Sequence, residues 1–422
     1  MYQMLFAGED GSLFDYPALG AVGRTGGRYV ELLDSDLEEL PEGASLTLIP
    51  RGTPLGIGKG GRFTTLEQNP FGAGRAWAVG ALLPQGYTRT MLPAYLRDEA
   101  AAPLPLFGYA AAACRDGKLY GAIRRTDDPL PWDPAHYDTA ALPQLVSERL
   151  KEMPANRILS HLAHCALAYR CFTAQNIFYR RWEGGIPVSP GCNARCLGCI
   201  SLQPAECCPS PQERLTFRPT PREVAEIALP HLNLGGPGAM VSFGQGCEGE
   251  PSLEALTISE AVERLRGQTD AGVVNMNSNG GYTAGIERIC QAGLDTVRIS
   301  LISAREKVYQ AYYRPASYGL ADVRRSIRLA AGHGVYVSLN LLVLPGLTDQ
   351  PEEVAALTEL IRETGVALVQ MRNLNIDPDW LLSNLPEDSA QGEPIGIDAL
   401  IAALEALPGV KVGSYSHPVK RS

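Results

Sequence analysis

From residue 185 onward, short apolar runs alternate with amphipathic stretches, and this alternation constrains the chain more than any other feature. It is the pattern of strand and crossover-helix units built around a parallel sheet. The runs predict strands at 186–189, 239–243, 273–277, 296–301, 335–344 and 367–372. Helices are expected between and after them at 221–232, 253–266, 284–292, 305–312, 320–333 and 351–364. Six such units fall short of the eight that close a full barrel. The expectation is an α/β fold with an open, partial (β/α)6 barrel whose active site sits at the carboxyl ends of the strands.

The first 145 residues read differently, being dense in Pro, Gly and Ala. Segments 45–50, 76–83 and 119–124 are short, bounded by Gly or Pro, and predict strands joined by turns. A β-rich accessory domain is therefore expected over 1–145, with a proline-rich connector at 127–134. Helical spacing of apolar residues then predicts a helical bridge over 146–184. The barrel is placed at 185–380, and a C-terminal helix and tail at 381–422.

Lys and Arg number 37 against 46 Asp and Glu, a formal charge of -9, which opposes binding to phosphate backbones or anionic lipid. Nucleic acid and membrane are accordingly not expected partners. The N-terminus lacks a basic stretch followed by a long apolar run, so it does not read as a secretory signal. No segment reaches the roughly 18 apolar residues of a membrane span. The expected compartment is a reducing cytoplasm, where short-spaced cysteines among the 10 present indicate metal or redox chemistry before disulfides.

Directly after the first expected strand, Cys192, Cys196 and Cys199 stand at C-x3-C-x2-C spacing. Three thiolates hold a cubane iron–sulfur cluster with one iron left open, and an open position is where chemistry occurs. Structural zinc is the other reading, but it takes four closed ligands in paired arrangements, and only Cys207 or Cys208 lies near enough in sequence to complete such a set.

At this point the sequence resembles the radical S-adenosylmethionine (SAM) superfamily, whose hallmark is this loop after the first strand of a partial barrel. The match continues along the chain. Residues 245–252 stand where that superfamily has a Gly-Gly-Glu-Pro stretch binding the methionine amino group; Gly249, Glu250 and Pro251 agree, and Glu248 replaces the first glycine. Glycine allows close backbone approach and a carboxylate pairs with an ammonium. The resemblance further implies cofactor contacts at Asn279, Ser300 and the turn of Gly346, with Arg314 reaching the cofactor carboxylate. One departure is Gly198, where relatives carry an aromatic residue before the last cysteine; Leu197 or Ile200 is expected to substitute.

The resemblance implies a [4Fe-4S] cluster held by Cys192, Cys196 and Cys199, and reductive cleavage of SAM to a 5'-deoxyadenosyl radical that abstracts hydrogen. It also implies a low-potential electron donor such as flavodoxin or ferredoxin, and a small-molecule, peptide or protein substrate. The alternative is an iron–sulfur module that senses redox state or binds without turnover. Cys207, Cys208 and Cys247 are candidate auxiliary-cluster ligands or a thiol hydrogen-atom donor, set against simple packing. His161 and Cys165 share one helix face at i, i+4, compatible with a metal site or with satisfied core. No cysteine follows Cys290, so the cysteine-rich C-terminal extension of peptide-modifying relatives is not expected. The polar run Arg372, Asn373, Asn375 and Asp377 is read either as substrate contacts at the barrel rim or as loop hydrogen bonds.

Overall fold

Uninterrupted apolar strands need cover on both faces, and the second half of the chain provides it with helices around one parallel sheet. The computed structural model describes residues 1–98, 101–104, 106–201 and 212–419. Its main sheet runs in sequence order: β1 (Glu183–Gly185), β2 (Met240–Phe243), β3 (Val273–Ser278), β4 (Thr296–Leu301), β5 (Tyr336–Val343), β6 (Leu368–Asn373) and β7 (Lys411–Gly413). Every neighbouring pair is parallel, and β1 and β7 are the two ends of the series. This is the expected partial barrel of a mixed α/β chain with a β-rich N-terminal region.

Two details differ from expectation, each for a physical reason. The first strand lies at 183–185, not 186–189: after Ile186 donates to the Ser242 carbonyl, the amides of Val188 and Ser189 turn to the carboxylate of Glu248. A seventh strand, β7, joins the edge beside β6 within the segment read as helix and tail. At three residues it is too short to show a periodicity.

The bridge forms three helices, α1 (Leu142–Glu152), α2 (Arg157–Leu167) and α3 (Phe172–Tyr179). They pack on the barrel through β1 and through α4 (Pro221–Leu234), which Thr220 and Glu223 open with a reciprocal capping box. Asn156 caps α2 and also donates to the Glu223 carbonyl. Arg157 grips the Glu223 carboxylate with Nε and Nη2, both at 2.7 Å. The remaining barrel helices are α5 (Ala255–Arg266), α6 (Thr283–Gln291), α7 (Glu306–Tyr313), α8 (Leu320–Gly332) and α9 (Pro351–Thr364). They are followed by α10 (Pro378–Ser383) and α11 (Ile397–Glu405). No helix among the described residues is long and apolar enough to cross a membrane.

The N-terminal region is built on a 10-stranded sheet of antiparallel pairs, with Gln3–Ala7 paired to both Leu13–Gly20 and Ala112–Arg115. It sits on the barrel where β5 and β6 end. Arg89, 0% exposed, donates through Nη2 to the carbonyl of Leu374 at 2.7 Å, with Val343, Phe107 and Tyr109 carbonyls at 3.4 Å. Asn373 behaves as a strand mimic, accepting from Arg89 N and donating to the Tyr87 carbonyl. Asp377 caps α10 while accepting from Arg97 and Leu104 N, and Asp379 pairs with Arg24. Asn373 and Asp377 thus hold the two regions together, which settles for them the choice between rim contacts and loop hydrogen bonds.

A buried guanidinium with only carbonyl partners leaves them unsatisfied when it is removed. Arg89→Leu is expected to cost about 3 kcal/mol in denaturant unfolding, whereas Arg28→Ala, which breaks an exposed pair with Glu393, stays within about 0.5 kcal/mol. The Arg157 guanidinium, with the Thr220 donors, holds the Glu223 carboxyl down at about 2 against its burial. A carboxyl lowered on folding stabilises above its unfolded pKa and loses that contribution as pH falls through the folded value. Because Arg157 is half exposed, Glu223→Gln is expected to cost only about 1 kcal/mol at neutral pH. The gap to the parent should narrow as pH falls from roughly 4.5 toward 2, read as denaturation midpoints across pH.

Candidate cofactor site at the carboxyl ends of the strands

The three-cysteine loop has no helix or strand of its own, so neighbouring backbone must hold it. Gly249 N donates to the Ser189 carbonyl at 2.7 Å and Glu250 N to the Gly191 carbonyl at 2.8 Å. On the other side, Arg195 N and Leu197 N each donate at 2.9 Å, to the carbonyls of Tyr313 and Tyr312 in α7. The glycine at 249 is required here, because a Cβ would run into the Gly191 carbonyl oxygen. Glu248, 4% exposed, places one carboxylate oxygen on Val188 N and Ser189 N and the other on Gly244 N and Gln245 N. Burial pushes this carboxyl up to about 7, opposed by its four amide donors.

Cys192, Cys196 and Cys199 line one cavity of about 290 Å³. Facing them are the 248–250 turn after β2, Asn277, Ser278 and Asn279 at the end of β3, and Arg298 and Ser300 on β4. Burial, then Glu250, pushes the Cys192 thiol up to about 11. Cys196 is raised by burial and then by the other two thiols. Sulfurs that disfavour one another's thiolates are groups a cation stabilises, displacing their protons. Arg214 lies alongside, with Nη2 3.6 Å from Cys199 Sγ and Nε 3.0 Å from Ser201 Oγ. Three soft donors on one wall of a polar cavity fit an iron–sulfur cluster that leaves one iron open.

Asn279 and Ser300 both line the cavity. Asn279 Nδ2 reaches back to Asn193 Oδ1 in the cysteine loop at 2.6 Å. Glu250 also lines it, but its carboxylate already accepts from Ser252 N, Ser278 Oγ and Asn279 N, bracing the turn against β3. Gly346 does not line the cavity. Its φ is 89°, and a Cβ would collide with Gly26, whose amide donates to the Pro345 carbonyl, so this glycine serves the contact with the N-terminal region. Arg314 is an exposed residue at the end of α7, 3.5 Å from Asn384 Oδ1 and outside the cavity lining. Cys247 is buried beside Cys165 and His161, behind the turn. Cys207 and Cys208 lie outside the described residues. At Gly198, a Cβ would stand 2.8 Å from the Tyr312 hydroxyl, so an aromatic group reaches the loop from α7. Leu197 is fully buried instead, while Ile200 lines the cavity.

A second chamber of about 320 Å³ shares Gln245, Arg298 and Arg372 with the first. Glu183 on β1 accepts from Ser242 Oγ at 2.6 Å and Gln245 Nε2 at 3.0 Å, with Arg298 Nη2 at 3.5 Å. Arg372 donates to Gln85 Oε1 and the Ser414 carbonyl, and burial, then Arg298, pushes its pKa down to about 10. The other walls are apolar: Leu82 to Pro84, Trp132, Phe172 and Tyr415. Reasoning from sequence missed Glu183 and this chamber, whose walls come from nine separate stretches of chain between Gly43 and Tyr415.

Glu248→Gln keeps one carbonyl oxygen for two amides but turns an NH2 group toward the other two. The expected result is a loss of about 2–3 kcal/mol together with reduced iron retention after anaerobic reconstitution, measured as melting temperature and iron per chain.

The radical SAM superfamily model matches residues 186–358. No curated protein matches the chain. Among solved structures, native anSMEcpe with bound AdoMet is similar at 17% identity over 44% of this chain and 50% of that one, with a TM-score of 0.35. A radical SAM methyltransferase from Sphaerobacter thermophilus is 18% identical over 55% and 65%, at TM-score 0.39. Streptococcus suis SuiB bound to S-adenosylmethionine is 11% identical over 66% and 61%, also at 0.39. The chain spans less than two thirds of the length of each of these three. Radical SAM family proteins bind a [4Fe-4S] cluster and SAM. The matched segment, which forms most of the partial barrel, is therefore a radical SAM domain at residues 186–358.

Proposed function

We propose that Cys192, Cys196 and Cys199 hold the [4Fe-4S] cluster and that the adjoining cavity binds SAM for reductive cleavage. The observation that carries this is the convergence of the three thiols with the 248–250 turn and the ends of β3 and β4 on one cavity. When bound and reduced by a low-potential donor such as flavodoxin or ferredoxin, the cluster supplies the electron that splits SAM into methionine and a 5'-deoxyadenosyl radical able to take hydrogen from substrate.

The chain's own residues orient the ligands and exclude water. Asn279 and Ser300 offer hydrogen-bonding groups to the polar parts of SAM. Asn340, whose buried Oδ1 lacks a partner among the described residues, adds an acceptor on the same cavity. Gly249 lets the turn approach the cluster loop, and Glu250 supports it from behind. The second chamber is the substrate's place, since it shares Gln245, Arg298 and Arg372 with the first. Two arginines beside one glutamate leave a net positive charge, and the aromatic walls suit an apolar body. A small molecule or a single side chain bearing a carboxylate fits both. The N-terminal region contributes Leu82 to Gln85 to this chamber and so selects substrate.

The protein reconstituted anaerobically with iron and sulfide, then given dithionite and SAM, should release 5'-deoxyadenosine. The Cys192→Ala, Cys196→Ala, Cys199→Ala triple variant should release none. A wild-type protein that keeps its cluster yet gives no 5'-deoxyadenosine would refute the reading.

A further inference from the structure

Helix α2 carries His161 and Cys165 one turn apart, and the fold places Cys247 of the cofactor turn against them. One donor atom from each of the three lies within 4.8 Å of the others. Cys165 is 1% exposed and Cys247 is 4% exposed. The Nε2 atom of His161 is buried and has no hydrogen-bond partner among the described residues. A buried imidazole nitrogen without a partner, beside two buried thiols, is an anomaly in a packed interior. Sequence spacing hinted at the first two residues; the third is supplied by tertiary structure alone.

We propose that His161, Cys165 and Cys247 bind a zinc ion, a site separate from the cluster cysteines. The donor chemistry suits the metal: two thiolates and one imidazole are preferred zinc ligands, at about 2.3 Å and 2.0–2.1 Å. Two sulfurs bound tetrahedrally at that distance stand about 3.8 Å apart, within the observed separation. A second [4Fe-4S] cubane fits less well, because each of its cysteines binds a different iron and the sulfurs must stand further apart. Charge balances too. Zn²⁺ displaces one proton from each thiol to solvent, so a neutral pair of thiols and a divalent cation become a neutral buried centre. Cys171, whose amide donates to the Cys165 carbonyl at 3.0 Å, is the nearest further sulfur along the bridge.

The consequence is mechanical. Cys247 directly precedes Glu248, which holds the cluster loop, while His161 and Cys165 belong to the bridge. A zinc ion here fastens the bridge to the back of the cofactor turn.

The test is zinc content by mass spectrometry, on the reconstituted wild-type chain and on the triple alanine variant at the cluster cysteines. Both should hold about one zinc per chain, a result independent of whether SAM is cleaved. Cys247→Ser and His161→Ala should each lose that equivalent while their circular dichroism stays that of the parent. Cobalt(II) loaded into the triple variant should show thiolate-to-cobalt charge transfer and the intense visible bands of a tetrahedral site. The proposal is overturned if wild type and triple variant hold no zinc, if Cys247→Ser and His161→Ala keep it, or if bound cobalt is octahedral. Iron and sulfide retained by the triple variant in place of zinc would overturn it equally. The wild-type and cobalt measurements need none of the zinc-site variants to fold.

Discussion

The carboxylate of Glu248 is the interaction on which the candidate site rests. It joins the amides of Val188 and Ser189, on the approach to the cysteine loop, to those of Gly244 and Gln245, at the end of β2. Without a shared acceptor these four N–H groups would have to find partners in a segment that forms no regular structure. With it, the loop and the turn become one rigid unit, and the next two amides, of Gly249 and Glu250, extend the stitching to Ser189 and Gly191. A glycine at 248 would offer no such acceptor. The departure from the superfamily's usual first glycine is thus a structural substitution, since both carboxylate oxygens are taken up by backbone amides.

The N-terminal region depends on a second buried polar group. Arg89 gathers carbonyls from its own domain, at Phe107 and Tyr109, and from the barrel, at Val343 and Leu374. This fixes the accessory region over the carboxyl ends of β5 and β6, so that Leu82 to Gln85 wall the second chamber. The same docking explains the polar residues Asn373, at the end of β6, and Asp377, beyond it. Asn373 and Asp377 complete the backbone of a neighbouring domain, and Arg372 alone of that run faces both chambers.

Much of the barrel was legible because parallel strands must be apolar on both faces and their helices amphipathic. The helix from Pro351 to Thr364 and the strand from Thr296 to Leu301 have the bounds the pattern predicts. The cysteine loop was legible because its spacing is local. What was not legible depends on distant contacts. Gly346 looks like a cofactor turn in sequence, yet its conformation answers to Gly26, more than 300 residues earlier. Arg314 reads as a candidate anion partner, but it follows the last residue of α7 into solvent. Tyr312 sits next to Gly198 only through tertiary packing, and Cys247 meets His161 and Cys165 the same way. Strand β7 is three residues long and carries no periodic signal.

The central claim is that the three-cysteine loop and the 248–250 turn form one site, where SAM meets the open iron of a cluster. Electron paramagnetic resonance of the dithionite-reduced protein, with and without SAM, tests it most directly. The account predicts a reduced-cluster signal that changes shape when SAM is added and is absent from the triple alanine variant at Cys192, Cys196 and Cys199. A signal that persists in that variant, or one that SAM leaves unchanged in the wild-type protein, would contradict it.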